Sequence, residues 1–310
     1  MRKVQVRQLV QNFKMQTLVI ERGRSERNYW RDLFHYRELF LILAWRDVTV
    51  RYKQTVAGAA WAIVQPLMQT VLFTVVFGKL GGFHSNGPYA VVVYAASLPW
   101  NFFANALTLS SQSVVNNSNL ISKIYFPRLI VPSSSVVVSF VDFLVAVPIL
   151  AGLMAWYHVW PTWRLIALPA LMALAIGTAL GPGFLATALT VRFRDFRMII
   201  PFIVNFGMYA CGVPFDSGYV HQKIGDKLFF LYSLNPMVSV VNGFRWAILG
   251  DQTAAQPAGI INSVSQGAMA ASPGAFCWPA FGLSIVIMLA LLIIGVKYFR
   301  KTERAFADII

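Results

Sequence analysis

Six apolar stretches constrain the fold of this chain more than any other feature. A helix that crosses the hydrocarbon core of a membrane needs about 20 predominantly apolar residues. The stretches cover residues 57–78, 89–113, 129–157, 165–191, 198–212 and 275–299. The fifth is short on its own, and the others have full length. The pattern predicts an all-α integral membrane protein with six transmembrane helices.

The composition agrees with a chain that lies mostly in lipid. Charged residues make up 12% of the sequence and hydrophobic residues 57%, and the mean hydropathy is +0.60. Soluble proteins carry about 25% charged residues. The net charge of +14 would suggest nucleic acid in a soluble protein. In a membrane protein its distribution matters more, and we expect no nucleic-acid partner.

The basic residues orient the chain across the membrane. Of the 26 Lys and Arg, 21 fall in residues 1–56, in the links 114–130 and 192–197, and after Val296. Cytoplasmic loops carry an excess of Lys and Arg. We therefore expect both termini in the cytoplasm, with the link "RFRDFR" on the same side.

Residues 1–56 form a first predicted domain, and residues 57–310 form the membrane domain. The stretch "YWRDLFHYRELFLILAWRDVTVRYKQT" has an imperfect helical period, which predicts a helix lying in the membrane interface. Residues 1–28 are polar and basic and predict a loose arm or a short extra helix. No secretory signal is evident.

Two shorter apolar pieces precede the last stretch, at residues 228–234 and 237–249, separated by Asn235 and Pro236. Neither is long enough to cross a bilayer. We predict two external re-entrant helices within about residues 213–250, because irregular backbone at membrane depth must be satisfied by protein or water.

Small residues and prolines indicate where helices approach each other or bend. "AGAAWA" at residues 57–62 and "GTALGPG" at residues 177–183 predict close helix packing. Prolines that would kink helices or open backbone groups occur at Pro66, Pro148, Pro182 and Pro201.

Polar chemistry inside the stretches is sparse. Asp142 is the one clear acid there, and we expect it to bond a neighbouring serine rather than carry an ion. Cys211 and Cys277 are predicted to be buried small hydrophobes. No repeat relates the two halves, which disfavours carriers built on inverted repeats.

The sequence has no phosphate-binding loop, no H-E-x-x-H and no G-x-S-x-G motif. We therefore expect no catalytic residue, metal or cofactor in this chain. A glycan-processing enzyme would need grouped external acids, and Asp216, Asp226 and Asp251 show no such grouping.

Several elements occur together in an order typical of one family: "RDVTVRYKQTVAGAAWAIVQPL", "NSNLISKIYFPRLIVP", "ATALTVRFRDF" and "LYSLNPMVSVVNGFRWAILG". Over about residues 30–299 the chain resembles the permease subunit of type-2 ABC exporters, in the branch that exports O-antigen, capsule and teichoic acid polysaccharides. "AGAAW" departs from the usual Leu-Gly pair before the tryptophan.

The resemblance implies a homodimer in a bacterial inner membrane, with two copies of a separate ATPase subunit that binds ATP and Mg²⁺. Its cargo would be a lipid-linked polysaccharide, O-antigen-like or capsular. An exporter of a small amphiphile or drug with the same fold is the alternative.

The resemblance also implies roles for particular residues. ATPase coupling falls on the link 118–132 and on "RFRDFR". Membrane anchoring, together with an internal ion pair of Asp195, would also account for the charges of "RFRDFR". The coupling residues are Lys123, Tyr125, Phe126, Arg128, Arg192, Arg194, Asp195 and Arg197.

The fifth stretch would line the pore, where aromatic rings stack on sugars. The channel residues are Trp61, Phe206 and Tyr209, with Trp100 and Phe102 as further candidates. Arg46, Arg51 and Lys53 would receive a lipid headgroup at the cytoplasmic side, with anchoring to the membrane surface as the alternative.

Overall fold

The computed structural model describes residues 25–53, 56–80, 88–215, 217–250 and 278–303, which form helices and no strand. The α-helices of this part of the chain are α1 (Ser25–His35), α2 (Arg37–Lys53), α3 (Val56–Phe73), α4 (Tyr89–Asn116), α5 (Ser118–Ile121), α6 (Ile130–Trp156), α7 (Leu168–Arg192), α8 (Phe196–Ala210), α9 (Ser217–Ser233), α10 (Pro236–Leu249) and α11 (Trp278–Glu303). A π-helical segment, Thr74–Leu80, continues α3, and a 3₁₀ turn, Trp163–Ala167, precedes α7.

Five of the predicted membrane crossings are present as helices of sufficient length and apolarity. They are Ala60–Leu80, Tyr89–Asn116, Ile130–Trp156, Trp163–Arg192 and Pro279–Glu303. The helix at the one remaining predicted position, the fifth along the chain, is α8, which has 15 residues. At a rise of about 1.5 Å per residue it is about 22 Å long, shorter than a hydrocarbon core of about 30 Å.

Helix α4 is the centre of the molecule. In its apolar stretch 78% of the residues are buried, against 17% for the stretches of α3 and of α11. It packs mainly on α6, α7 and α10. Protein rather than lipid therefore surrounds α4, and its serines bond backbone carbonyls, as Ser97 Oγ does to Val93 O at 2.8 Å.

Helices α7 and α11 cross in close backbone contact at a pair of glycines. A Cβ placed on Gly295 would overlap the carbonyl oxygen of Gly181, and one on Gly181 would lie 2.8 Å from the carbonyl carbon of Leu291. The packing predicted from "GTALGPG" is thus confirmed. In the other small-residue stretch, Ala60 and Trp61 are exposed and Ala62 is half-buried.

We expect Gly295→Val to destabilise the protein strongly, by about 3 kcal/mol, because overpacking at a backbone contact forces the two helices apart. Gly282→Val is the matched control on the same helix, since nothing lies within 4 Å of a Cβ there. Melting temperatures of the detergent-purified variants test this. Equal melting temperatures for the two would contradict the crossing.

The four prolines that were predicted to kink helices or open backbone groups all lie inside helices, with Pro66 in α3, Pro148 in α6, Pro182 in α7 and Pro201 in α8.

The two short helices before α11 are present, and they are separated at the predicted place, next to Asn235 and Pro236. Asn235 caps α10 by accepting a 3.0 Å hydrogen bond from the Met237 backbone. The first helix, α9, is longer than predicted, and it breaks at Gly225, whose φ of 74° favours glycine.

The N-terminal region contains two helices where one was predicted, with a turn at Tyr36 between them. In α2, Leu43 and Ala44 are buried, while Leu41, Ile42 and Trp45 are exposed. Apolar side chains on both faces are compatible with a helix between protein and lipid. The predicted arm falls mostly on residues 1–24, which lie outside the described residues, as does Cys277. Cys211 is buried, as predicted.

Candidate functional site

The link between α4 and α6 presents one side to solvent and inserts the other into the protein. Lys123 and Tyr125 are exposed, with Tyr125 at 57%, whereas Phe126 is 4% exposed and packs in a hydrophobic cluster with Leu129 and Phe184. Phe126 therefore anchors the link, and it does not reach a partner as the sequence suggested. Lys123 and Tyr125 remain candidates for contact.

Arg128 ties this link to the end of α11. Its backbone N–H donates to Glu303 Oε1 at 2.9 Å, and its Nη1 donates to the Glu303 carbonyl at 2.7 Å. The Tyr29 hydroxyl donates to Glu303 Oε2 at 3.2 Å. Burial, reinforced by the carboxylate, raises the pKa of Tyr29 above its ordinary range, so the hydroxyl keeps its proton. Three elements, α1, the link and α11, meet at this point.

The link between α7 and α8 carries four exposed charged side chains, those of Arg192, Arg194, Asp195 and Arg197. Asp195 stands at the N-terminus of α8, where a carboxylate is favourable. Among the described residues no ion pair joins it to its arginine neighbours, so the predicted internal ion pair is wrong. The group is open to a partner or to lipid headgroups.

The three cations predicted to receive a lipid headgroup differ in their surroundings. Arg46 bonds the Asp47 carboxylate and, at 2.7 Å, the side-chain oxygen of Asn117 at the end of α4. Arg51 Nη2 lies 2.7 Å from Asp142 Oδ2. Only Lys53 of the three is exposed without a partner among the described residues.

Asp142 joins α6 to the N-terminal region. It is 7% exposed, receives the Arg51 ion pair on one oxygen, and accepts a 2.5 Å hydrogen bond from Tyr52 on the other. The contact with Arg51 is close, yet Oδ2 has no aligned hydrogen bond from the described residues. The predicted serine partner is wrong, since the nearby Ser139 hydroxyl makes no hydrogen bond there.

Helices α3 and α8 contact each other through side chains near their C-terminal ends, and both expose aromatic rings. Phe73 and Tyr209 pack at a tilted angle with 6.1 Å between ring centroids, and Gln69 contacts Met208. Trp61 is 61% exposed, Phe206 60% and Tyr209 46%. Sequence reading missed Phe202, 63% exposed and 4.5 Å from the Phe206 ring, although its spacing of four residues signals the same helix face.

Exposed side-chain amides occur on the same two helices. Gln65 on α3 and Asn205 on α8 are both exposed. We call the set of Trp61, Gln65, Phe202, Asn205, Phe206 and Tyr209 the aromatic–amide face. Lipid would leave such amides unsatisfied, so the face suits a partner chain or water.

Trp100 and Phe102 do not belong to this face. They are 4% and 2% exposed in the core around α4, where Trp100 packs on Phe103 and Phe102 on Phe143. As packing residues inside one chain they reach no open surface, so we remove them from the channel set.

Sequence reading also assigned no role to Arg245, which is 5% exposed in α10. Its guanidinium donates to four backbone carbonyls, those of Val92 at 3.3 Å, Phe215 at 2.8 Å, Gly212 at 3.0 Å and Val213 at 2.7 Å. These bonds hold the segment that follows α8 against α4 and α10. A lone arginine in an otherwise apolar helix was the available signal.

Metal ligation has no candidate within the described ranges, where no three His, Cys, Asp or Glu side chains gather.

Comparison with known proteins finds one family model, described as "ABC-2 type transporter", which matches residues 38–249. An O-antigen export system permease protein RfbA of Myxococcus xanthus is 24% identical over 216 residues, which are 69% of this chain and 82% of that protein. Two proteins of the same name from Klebsiella pneumoniae are each 24% identical. One match covers 88% of this chain and 95% of the relative, and the other 67% and 79%.

Proposed function

We propose, since the chain belongs to the ABC-2 type transporter family, that it is the transmembrane subunit of an ATP-driven polysaccharide exporter. The relatives are O-antigen export permeases, and the cargo by this analogy is a lipid-linked glycan. The observation that carries the proposal is the aromatic–amide face. It combines stacking rings with hydrogen-bonding amides on a membrane helix pair, as a sugar polymer requires.

The proposed topology has six crossings with both termini in the cytoplasm of a bacterial inner membrane. Five helices have full length, and α8 supplies the sixth crossing together with the segment 211–215 that Arg245 holds. Helices α9 and α10 form the external re-entrant pair. The excess of Lys and Arg in the cytoplasmic segments supports this orientation.

In this arrangement the chain divides at about residue 56. Residues 1–56 contain α1 and α2, which lie along the cytoplasmic interface, and residues 57–310 form the transmembrane domain. The exposed Trp30, Phe34 and Trp45 support the interfacial position, because tryptophan and other amphipathic rings favour the headgroup region.

Two copies of the chain form the pore, each contributing its aromatic–amide face. A sugar presents C–H faces that stack on rings and hydroxyls that bond amides. Phe202, Phe206 and Tyr209 follow one another along α8 at spacings of four and three residues. Repeated weak platforms of this kind hold a polymer while allowing it to slide.

A separate ATPase subunit binds ATP and Mg²⁺ and docks on the cytoplasmic links. Lys123 and Tyr125 on the first link, and Arg192, Arg194, Asp195 and Arg197 on the second, project toward it. Aromatic and arginine side chains are enriched at energetically important interface positions. This chain supplies no nucleotide-binding motif of its own.

We expect Phe206→Ala combined with Tyr209→Ala to reduce glycan display at least about tenfold, because two neighbouring stacking platforms are lost, each worth on the order of 1 kcal/mol. Surface glycan measured by antibody, normalised to permease in the membrane, tests this. Trp160→Ala, which removes a ring 75% exposed outside this face, is the control. Unchanged display with normal protein levels would favour a small amphiphile as cargo.

The exporter itself is tested by affinity purification of this chain from native membranes in mild detergent. We expect an ATPase subunit to co-purify in equal amount, and the reconstituted complex to hydrolyse ATP faster when lipid-linked glycan is added. A folded chain that retains no ATPase would refute the exporter. An ATPase that co-purifies but whose activity does not rise with glycan would refute the glycan cargo and leave the exporter standing.

A further inference from the structure

A cavity of about 480 Å³ opens at the cytoplasmic end of the protein, where α1, the first link and the end of α11 meet. Its lining residues are Tyr29, Asp32, Tyr125, Phe126, Pro127, Arg128, Lys297, Arg300, Lys301 and Glu303. Four of these side chains are cationic and two are anionic. The cavity therefore has a net positive lining.

Among the described residues neither Asp32 nor Glu303 forms an ion pair with the lysines. Glu303 is already engaged by the Arg128 backbone and by the Tyr29 hydroxyl. Arg300 stacks over the Tyr29 ring at 4.6 Å. Lys297 and Lys301 are exposed, and within the described ranges neither has a hydrogen-bond or ion-pair partner. They lie four residues apart on one face of α11, so both ammonium groups reach the same cavity.

The position along α11 places the cavity at the level of lipid headgroups. From Pro279, the start of the apolar stretch, to Lys297 is about 27 Å at the rise of an α-helix. The hydrocarbon core is about 30 Å thick. Lys297 thus stands at the inner boundary of the hydrocarbon, and Lys301 lies one helical turn beyond it, on the cytoplasmic side. Trp30, 52% exposed on α1 beside the cavity, is typical of the same level.

We propose that this cavity binds the phosphate of an anionic lipid headgroup from the inner leaflet. Basic pockets between membrane helices on the cytoplasmic side suit such headgroups. Lys297 and Lys301 supply the unneutralised charge, and Tyr125 stands at the rim. The site differs from the one predicted at Arg46, Arg51 and Lys53, since none of these three residues lines the cavity. It does not depend on a glycan cargo.

The test is native mass spectrometry of the full chain in detergent, titrated with phosphatidylglycerol and, separately, with phosphatidylcholine. We expect the wild type to prefer phosphatidylglycerol. Each exposed lysine at a membrane surface accounts for roughly fivefold in affinity, so Lys297→Gln with Lys301→Gln should weaken binding about thirtyfold. Lys297→Arg with Lys301→Arg should retain it, and Lys79→Gln, an exposed lysine elsewhere, should bind as the wild type does.

Competition identifies the source of the phosphate. Displacement of phosphatidylglycerol by a polyprenyl pyrophosphate at lower concentration would support the site and assign it to a lipid carrier. Failure of that competitor would support a resident phospholipid. Displacement by millimolar inorganic phosphate would overturn the lipid assignment. Equal lipid binding by the wild type and the double glutamine variant would overturn the site. If the double glutamine variant lost the co-purifying ATPase but bound lipid as the wild type does, the two lysines would serve the ATPase, which would also overturn the site.

Discussion

Replacing Arg245 with methionine is expected to lower the stability of the protein by about 4 kcal/mol or more. The change removes a hydrogen bond from a charged donor at each of the carbonyls of residues 92, 212, 213 and 215. Hydrogen bonds to charged groups contribute about 1.5–3 kcal/mol each. The carbonyl of Val92, within α4, and that of Gly212, which also accepts from the Phe215 N–H at 3.2 Å, keep a second donor. The melting temperature of the detergent-purified protein and the amount in the membrane both measure the loss.

Arg245→Lys separates the charge from the geometry of the guanidinium. Lysine keeps the cation but cannot donate to so many carbonyls at once, so we expect an intermediate melting temperature. Arg31→Met on the exposed surface of α1 is the control for loss of an arginine. Should Arg245→Met melt where the control melts, the four bonds would not be stabilising the segment that follows α8.

Asp142→Ala is expected to cost about 3 kcal/mol, because it leaves Arg51 in a partly buried position without its carboxylate. Tyr52 loses its acceptor as well. We place the cost at the lower end of the range for broken buried ion pairs, since the Arg51 side chain retains 29% exposure. Unfolding measured in detergent gives the value.

The double variant Asp142→Leu with Arg51→Met distinguishes an ion pair from simple packing. Removing both charges together is often close to neutral, whereas removing one leaves the other uncompensated. We therefore expect the double variant to be more stable than Asp142→Ala. If the loss of stability in the double variant equals the sum of the losses in the two single variants, the two side chains do not interact.

The membrane helices could be predicted from the sequence because length and apolarity alone define a crossing. The boundaries of the α4 stretch, predicted at 89–113 and observed at Tyr89–Asn116, show how well this works. Length and apolarity do not show which helix lies at the centre of the molecule. Lipid and protein interior are both apolar, so α4 and α11 both qualify as crossings by length and apolarity, although α4, the less hydropathic of the two, is mostly buried and α11 is mostly exposed.

The candidate site shows the same limit residue by residue. Tyr209 and Trp100 are aromatic side chains on apolar helices, and nothing in the sequence separates the exposed one from the buried one. Arg51 and Asp142 are 91 positions apart, and a pairing at that separation depends on tertiary packing. Asp195, by contrast, could be placed at an exposed helix start from its neighbours alone.

The glycine crossing has a mechanical consequence for the two links, the one between α4 and α6 and the one between α7 and α8. Arg128 fastens the first link to Glu303 at the end of α11, and α11 meets α7 backbone to backbone at Gly295 and Gly181. Helix α7 runs directly into the second link at Arg192. A force applied to one link would therefore be transmitted through helices α11 and α7 to the other, so a partner subunit that contacted either link would displace both.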